Sequence, residues 1–115
     1  MKRMRVLLVD DDPRVLERHE ALLSPHHEIV KAIDGESALE VLAQGGVHAV
    51  ISDYAMPGMT GTELLQHVHL RSPRVRRVLC SNAPPASSAQ LVRDGVIAVV
   101  LKKPASLAQL LAALG

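Results

Sequence analysis

Short apolar runs alternate with helical periodicities along the whole chain. Met4–Val9 has the pattern of a strand, and Pro13–Leu23 that of a helix with Val15, Leu16, His19, Leu22 and Leu23 on one face. Glu28–Ala32 is a second, weaker strand. Glu36–Ala43 is a helix entered by Asp34-Gly35 and followed by Gly45-Gly46. Ala49–Ser52 is a fully apolar strand running into Asp53, and Thr62–Leu70 is a helix with Leu64, Leu65 and Val68 inward. Arg77–Cys80 (strand), Ser87–Arg93 (short helix), Ala98–Leu101 (strand) and Leu107–Leu114 (helix) complete the series.

Strand–helix units in series dictate a topology. Strands joined by helix-length crossovers pair in parallel, and a parallel sheet is covered on both faces, so its strands should be apolar throughout. Val50-Ile51 and Val99-Val100-Leu101 have that character. Right-handed crossovers then give a doubly wound α/β sheet. Ligand sites of such sheets form outside the carboxyl ends of the strands. Asp10, Asp11, Asp53, Ser81 and Lys103 each follow a strand, so the topology gathers them at one edge.

The run Leu7-Leu8-Val9-Asp10-Asp11-Asp12-Pro13 carries the strongest chemical signal. Asp12 before Pro13 fits a helix N-cap with proline in the first turn. That leaves Asp10 and Asp11 to be explained. Adjacent carboxylates raise the free energy of each other's ionised forms, and a hard divalent cation such as magnesium, bound through oxygen, resolves the conflict.

Composition narrows the field. At 115 residues, 48% of them apolar, the chain is long enough for one domain with its own core. Tyr54 is its only aromatic residue, so the core is aliphatic and stacking on single-stranded nucleic acid is excluded. The formal charge is +1. Arg71, Arg74, Arg76 and Arg77 crowd around Pro73, a cluster that suits a solvated loop better than a docking patch for an acidic partner. Cys80 is the single cysteine, so no internal disulfide forms; in an apolar run it fits a buried thiol. No stretch is long enough to span a membrane and no secretory leader is visible, so a cytoplasmic location is expected.

Asp53 opens Asp53-Tyr54-Ala55-Met56-Pro57-Gly58-Met59-Thr60-Gly61, Ser81 ends the fourth strand, and Lys103-Pro104 follows the fifth. With Asp10-Asp11, these motifs in this order resemble the receiver (response-regulator) domain of two-component signalling over essentially the whole chain, 1–115, as a single domain. The resemblance implies a flavodoxin-like strand order 2-1-3-4-5 with five flanking helices. It implies that Asp53 is the phosphoacceptor and that Asp11, Asp53 and the backbone carbonyl of Ala55 hold Mg2+, with Asp10 helping directly or through water. Ser81 would donate its hydroxyl to a phosphoryl oxygen, and Lys103 would pair with Asp53 and later with the phosphoryl group. The partners implied are a sensor histidine kinase or histidine phosphotransfer protein and a downstream effector, with no direct contact to nucleic acid or membrane. A phosphorylation-dependent dimer could form through the face of the fourth helix, fifth strand and fifth helix. Elementary chemistry agrees: a carboxylate attacking an anionic phosphoryl group needs its charge repulsion neutralised, and lysine suits a contact whose partner changes during the reaction. X–Pro is the linkage in which a cis bond is cheap, and a tight turn at Lys103-Pro104 would aim Lys103 inward.

The chain departs from the family pattern at several positions. The family often has an aromatic residue three positions before the lysine, where this chain has Val100; a stiff valine offers no aromatic rotamer switch, so either the signal leaves through the backbone after Ser81, the reading favoured by the intact site, or the domain is weakly switched. Asn82 stands where the family is usually very small, and it either crowds the site or adds a donor. Ala55 and Ala83 offer no group to orient water against an acyl phosphate, which predicts slow loss of phosphate. Pro84-Pro85 stiffens the entry to the fourth helix.

The histidines number six, and none has zinc-site spacing; His19 and His48 suit partly buried packing positions. Two other functions compete. A phosphate-ester hydrolase using an aspartyl phosphate would need a substrate-binding cap for which the chain has no room. A pseudo-receiver, acting as a constitutive interaction module, would lack an acidic, acceptor or lysine position. A receiver is consumed as its own substrate, so the chain is not expected to be an enzyme. The short final helix favours a domain excised from a longer protein over a stand-alone receiver.

Overall fold

The computed structural model describes residues 2–115. The elements are β1 (Arg5–Val9), α1 (Pro13–Leu23), β2 (Glu28–Ala32), α2 (Gly35–Ala43), β3 (Ala49–Ser52), α3 (Gly61–Arg71), β4 (Arg76–Ser81), α4 (Ser88–Arg93), β5 (Val99–Lys102) and α5 (Leu107–Leu114). The strands form one parallel sheet in the order β2-β1-β3-β4-β5, as the resemblance implied. Where expected element ends differ, they shift by one residue, within the usual fraying of helix and strand ends.

Strand alternation divides the core in two. Leu7, Val9, Val50 and Leu79 point to the side covered by α2 and α3, where they meet Ala38, Leu64, Leu65 and Val68. Val6, Leu8, Ala49, Ile51, Val78 and Cys80 point to the other side and meet Leu16 and Leu23 of α1 and Leu110, Ala113 and Leu114 of α5. The Cys80 thiol is 1% exposed, and burial pushes its pKa up to about 11, so it is an inert core group.

Capping fixes where the helices begin. Asp12 accepts from the Arg14 N–H, and Asp34 accepts from the Ser37 N–H. Thr60 and Ser106 each form a reciprocal box with the Glu or Gln three residues on. α4 is the exception: Ser87 makes no side-chain cap.

The structure corrects several expectations. Val99, Val100 and Leu101 are only half-buried, because β5 is an edge strand and lacks a neighbour on one side. Val15 and Leu22 are half-buried at the margin of the α1 apolar face, where Leu22 packs against the core as expected. His48 is exposed, although its Nδ1 accepts from the Arg5 N–H at 2.9 Å. Arg76 and Arg77 do not belong to a solvated loop. The Arg77 guanidinium donates to the carbonyls of Val96 (2.7 Å), Val75 (2.7 Å), Pro73 (3.0 Å) and Gly95 (3.2 Å), and Arg76 Nε donates to Ala113 O at 2.5 Å. Only Arg71 and Arg74 of that cluster are exposed.

His27 shows how burial sets a charge state. It is fully buried, its Nδ1 accepts from the Met4 N–H at 3.0 Å, and its Nε2 has no partner among the described residues. Burial first, then the positive charges of His26 and Arg3, hold its pKa below the ordinary value; burial acts in the same direction on His19. Below about pH 6.5 the unfolded chain binds protons that the folded chain refuses. Stability is therefore expected to be full above that pH and to fall as pH drops toward the folded-state value. Denaturation midpoints between pH 7 and 5 should show this fall, and it should be shallower in His27→Gln, which keeps an acceptor for Met4. An equal slope in both proteins would assign the acid sensitivity to other groups.

Candidate functional site

The carboxyl ends of β1, β3, β4 and β5 converge on one pocket. β1 ends at Val9 and delivers Asp10, which is 4% exposed, followed by the exposed Asp11. β3 ends at Ser52 and delivers the half-buried Asp53, whose backbone N–H donates to Val9 O at 2.9 Å and so locks the acidic tips of β1 and β3 together. One carboxylate oxygen from each of Asp10, Asp11 and Asp53 lies within 4.8 Å of the other two. Three hard oxygen donors at that spacing suit a hard divalent cation.

The three carboxylates are not equivalent. Asp10 Oδ1 accepts from the Asp12 N–H at 2.9 Å, and Asp10 Oδ2 is paired with Lys103 Nζ at 2.5 Å. Both of its oxygens are engaged, which leaves Asp11 and Asp53 as the carboxylates with open coordination. Lys103 Nζ lies farther from Asp53 Oδ1, at 3.4 Å. The expected pairing of Lys103 with Asp53 is thus present, but Asp10 is the nearer partner.

The electrostatics match this geometry. Burial, then repulsion from Asp10, lifts the Asp53 pKa above its ordinary value, against the opposing pull of Lys103 and the Tyr54 N–H. Burial alone would lower the Lys103 pKa, but its hydrogen bond to Asp10 and the charges of Asp10 and Asp53 outweigh burial and raise it. The pocket therefore holds a fixed ammonium and a carboxylate whose ionised form lacks enough positive charge around it.

Ser81 ends β4 at the same edge of the sheet. It is 3% exposed, and its Oγ accepts from the Ala83 N–H at 3.3 Å. The Lys103 N–H donates to Ser81 O at 3.0 Å, so the hydroxyl and the ammonium are carried on directly bonded strand ends. The Lys103–Pro104 peptide is cis. Ala55, Asn82 and Ala83 are all exposed at the rim. Sequence reasoning missed the part of Arg18, which donates from α1 to Ala105 O at 3.3 Å and ties that helix to the loop after Lys103. An arginine on the polar side of a helix gives no sequence signal for such a bond.

The loop from Asp53 to α3 is unusually tight. The Gly61 N–H donates to Tyr54 O at 2.8 Å, and a Cβ on Gly61 would overlap the Asp53 carbonyl oxygen. Glycine is required there by proximity rather than by its dihedral angles.

Residues 6–115 match the family model of the response regulator receiver domain. The chain belongs to the response regulator receiver family. As a receiver it is similar to the signal receiver domain of an HD domain-containing protein from Pseudomonas fluorescens, with 36% identity, a TM-score of 0.90, and coverage of 98% of this chain and 92% of that one. It also resembles Vibrio cholerae chemotaxis protein CheY4, with 26% identity, a TM-score of 0.87, and coverage of 98% and 97% respectively. Among curated proteins it is 43% identical over 72 residues to the response regulator FleR of Pseudomonas aeruginosa, covering 62% of this chain. The receiver spans 15% of FleR, and 10% of the Arabidopsis thaliana two-component response regulator ARR2, to which it is 44% identical over 72 residues. Among the described residues no helix is long and apolar enough to cross a membrane.

Proposed function

We propose that this receiver accepts a phosphoryl group on Asp53 from the phosphohistidine of a sensor histidine kinase or a histidine phosphotransfer protein, in a Mg2+-dependent reaction. The observation that carries the reading is the convergence of Asp10, Asp11 and Asp53 oxygens within 4.8 Å, with Lys103 Nζ 3.4 Å from Asp53. Asp11, Asp53 and the Ala55 backbone carbonyl would hold the ion, with Asp10 as an outer anchor fixed by Lys103. When bound, the ion supplies positive charge beside the phosphoryl oxygens.

The chain's own groups account for the remaining steps. An Asp53 carboxylate oxygen forms the bond to phosphorus as the phosphorus–nitrogen bond of the donor breaks, and the electron pair leaves with the imidazole. Lys103 neutralises the transferred group from the side of Asp10. The Ser81 hydroxyl, which now accepts from Ala83, turns to donate to a phosphoryl oxygen. Because Val100 provides no aromatic switch, the change leaves through the Ser81–Ala83 backbone and the bonded Lys103 N–H toward α4, β5 and α5. An effector, or a second phosphorylated copy, would read that face. The protein is consumed as the acceptor, so it acts as a signalling substrate rather than a turnover enzyme. The setting is the cytoplasm, where kinases draw on ATP. No acidic, acceptor or lysine position is missing, which leaves a constitutive pseudo-receiver without support.

Intact-mass measurement after treatment with acetyl phosphate tests the reading. One phosphoryl group should be gained with Mg2+ present and none with a chelator present. Gain without the ion, or no gain with it, would refute the proposal. A second expectation concerns lifetime. With alanine at 55 and 83 nothing positions a water, so Ala55→Asn or Ala83→Glu should change the decay rate of the phosphorylated form, with a faster loss by about tenfold in at least one of them. Identical decay in all three proteins would remove these side chains from the account.

A further inference from the structure

We infer that the groove between α2 and the loop after Asp53 is a docking site for a cationic, amphipathic segment of a partner protein. The groove encloses about 570 Å³ and lies on the opposite side of the sheet from α1 and α5. Its floor is apolar, built from Leu39 and Ala43 on α2 and Pro57 and Met59 on the loop. Met59 is folded over the start of α2 so closely that a Cβ at Gly35 would fall 2.8 Å from its Sδ. The Met59 side of the floor is therefore packed directly on the start of α2.

The rim carries only negative charge. Glu36 and Glu40 line the groove together with Asp34, and no lysine, arginine or histidine does so. Asp34 is committed to capping α2 through the Ser37 N–H. Glu36 stands in the first turn of α2, where the helix dipole favours its charge, whereas Glu40 has no such task. They are exposed, and neither joins a salt bridge among the described residues. They also stand four residues apart on one helix, an arrangement in which like charges repel and weaken the helix. Two exposed carboxylates without a cationic side-chain partner, flanking an apolar floor, suit a ligand with apolar anchors and flanking ammonium or guanidinium groups.

The next depression along the face supports a macromolecular occupant. It shares Leu39 and Ala43 with the groove, continues between α2 and α3, and is lined at its far end by His67 and Arg71. The apolar track is thus acidic at one end and basic at the other, which gives a bound segment a direction. This inference does not depend on phosphorylation of Asp53.

The test is a peptide-display selection against the intact chain alone, with the selected peptides then measured on the parent and on the Glu36→Lys/Glu40→Lys double variant. Selected peptides should be rich in Lys and Arg interleaved with Leu, Ile or Met. Their affinity for the double variant should fall about tenfold or more, and added salt should weaken their binding to the parent. Both substitutions are at exposed helix positions, and an unchanged thermal midpoint of the variant would confirm that the fold is intact. Peptides without cationic enrichment, or binding both proteins equally, would overturn the inference. Self-association of the parent in sedimentation, lost in the double variant, would also overturn it by making a second copy the occupant.

Discussion

Asp53→Asn is expected to abolish phosphoryl gain from acetyl phosphate while leaving the protein at least as stable as the parent. The substitution keeps the shape of the side chain and removes the nucleophilic oxygen anion. Stability should not suffer, for a reason visible in the pocket. Burial and Asp10 raise the Asp53 pKa, so at neutral pH its ionised form is less favourable in the folded chain than in the unfolded one. A neutral amide avoids that cost, and Lys103 keeps Asp10 at 2.5 Å as its main partner. Intact-mass measurement and denaturant unfolding of the same preparation check both halves. A phosphorylated Asp53→Asn protein would mean that another residue is the acceptor. A marked loss of stability would mean that Lys103 depends on Asp53 more than the distances indicate.

Gly61→Ala should have the largest effect on stability of any glycine-to-alanine substitution among the described residues. The added Cβ would overlap the Asp53 carbonyl oxygen and lie 2.8 Å from the Asp53 carbonyl carbon and 3.0 Å from Tyr54 Cα. All of these are backbone atoms, so no side-chain rotation relieves the clash. Displacing the loop would break the Gly61 N–H bond to Tyr54 O and carry Asp53 with it. A loss of about 3 kcal/mol is expected, at the upper end for overpacking. Gly58→Ala is the natural comparison. Gly58 has φ +77°, but a Cβ there meets nothing within 4 Å, so the cost is conformational alone, about 1–2 kcal/mol. Urea unfolding of the two variants separates the effects. Gly61→Ala should also lose phosphoryl gain, whereas Gly58→Ala should keep it. Equal midpoints for the two would show that the loop yields more easily than its hydrogen bonds suggest.

The fold was legible because most strands are built on a short apolar run bounded by polar residues, β2 with its Glu28 and Lys31 being the weakest, and most helices have an apolar stripe. Those patterns fix element type, and parallel pairing then follows from connection length. The site was legible for a related reason: strand ends are where a doubly wound sheet exposes its residues, and Asp10, Asp11, Asp53, Ser81 and Lys103 sit at such ends. Partner choice was not legible. Nothing local distinguishes Arg77, whose guanidinium meets four carbonyls, from Arg74, which is exposed. The closer approach of Lys103 to Asp10 than to Asp53 depends on side-chain reach across the pocket, a three-dimensional quantity without a sequence period. His48 was misjudged because an isolated histidine beside an apolar run has no pattern that marks its side.

The arginine clasp on β4 has a mechanical consequence. Arg76 and Arg77 stand at the start of the strand and fasten it to α5 and to the turn before β5, whereas Ser81 ends the strand at the opposite tip. Beyond Leu79 the strand leaves its pairing with β3 and is held on the β5 side alone, so its tip carries fewer restraints than its root. A displacement begun at Ser81 therefore meets less resistance at that tip than at the root held by Arg76 and Arg77. Under the proposed function, a partner that reads the state of Asp53 is expected to contact the molecule near that tip rather than at the clasped root.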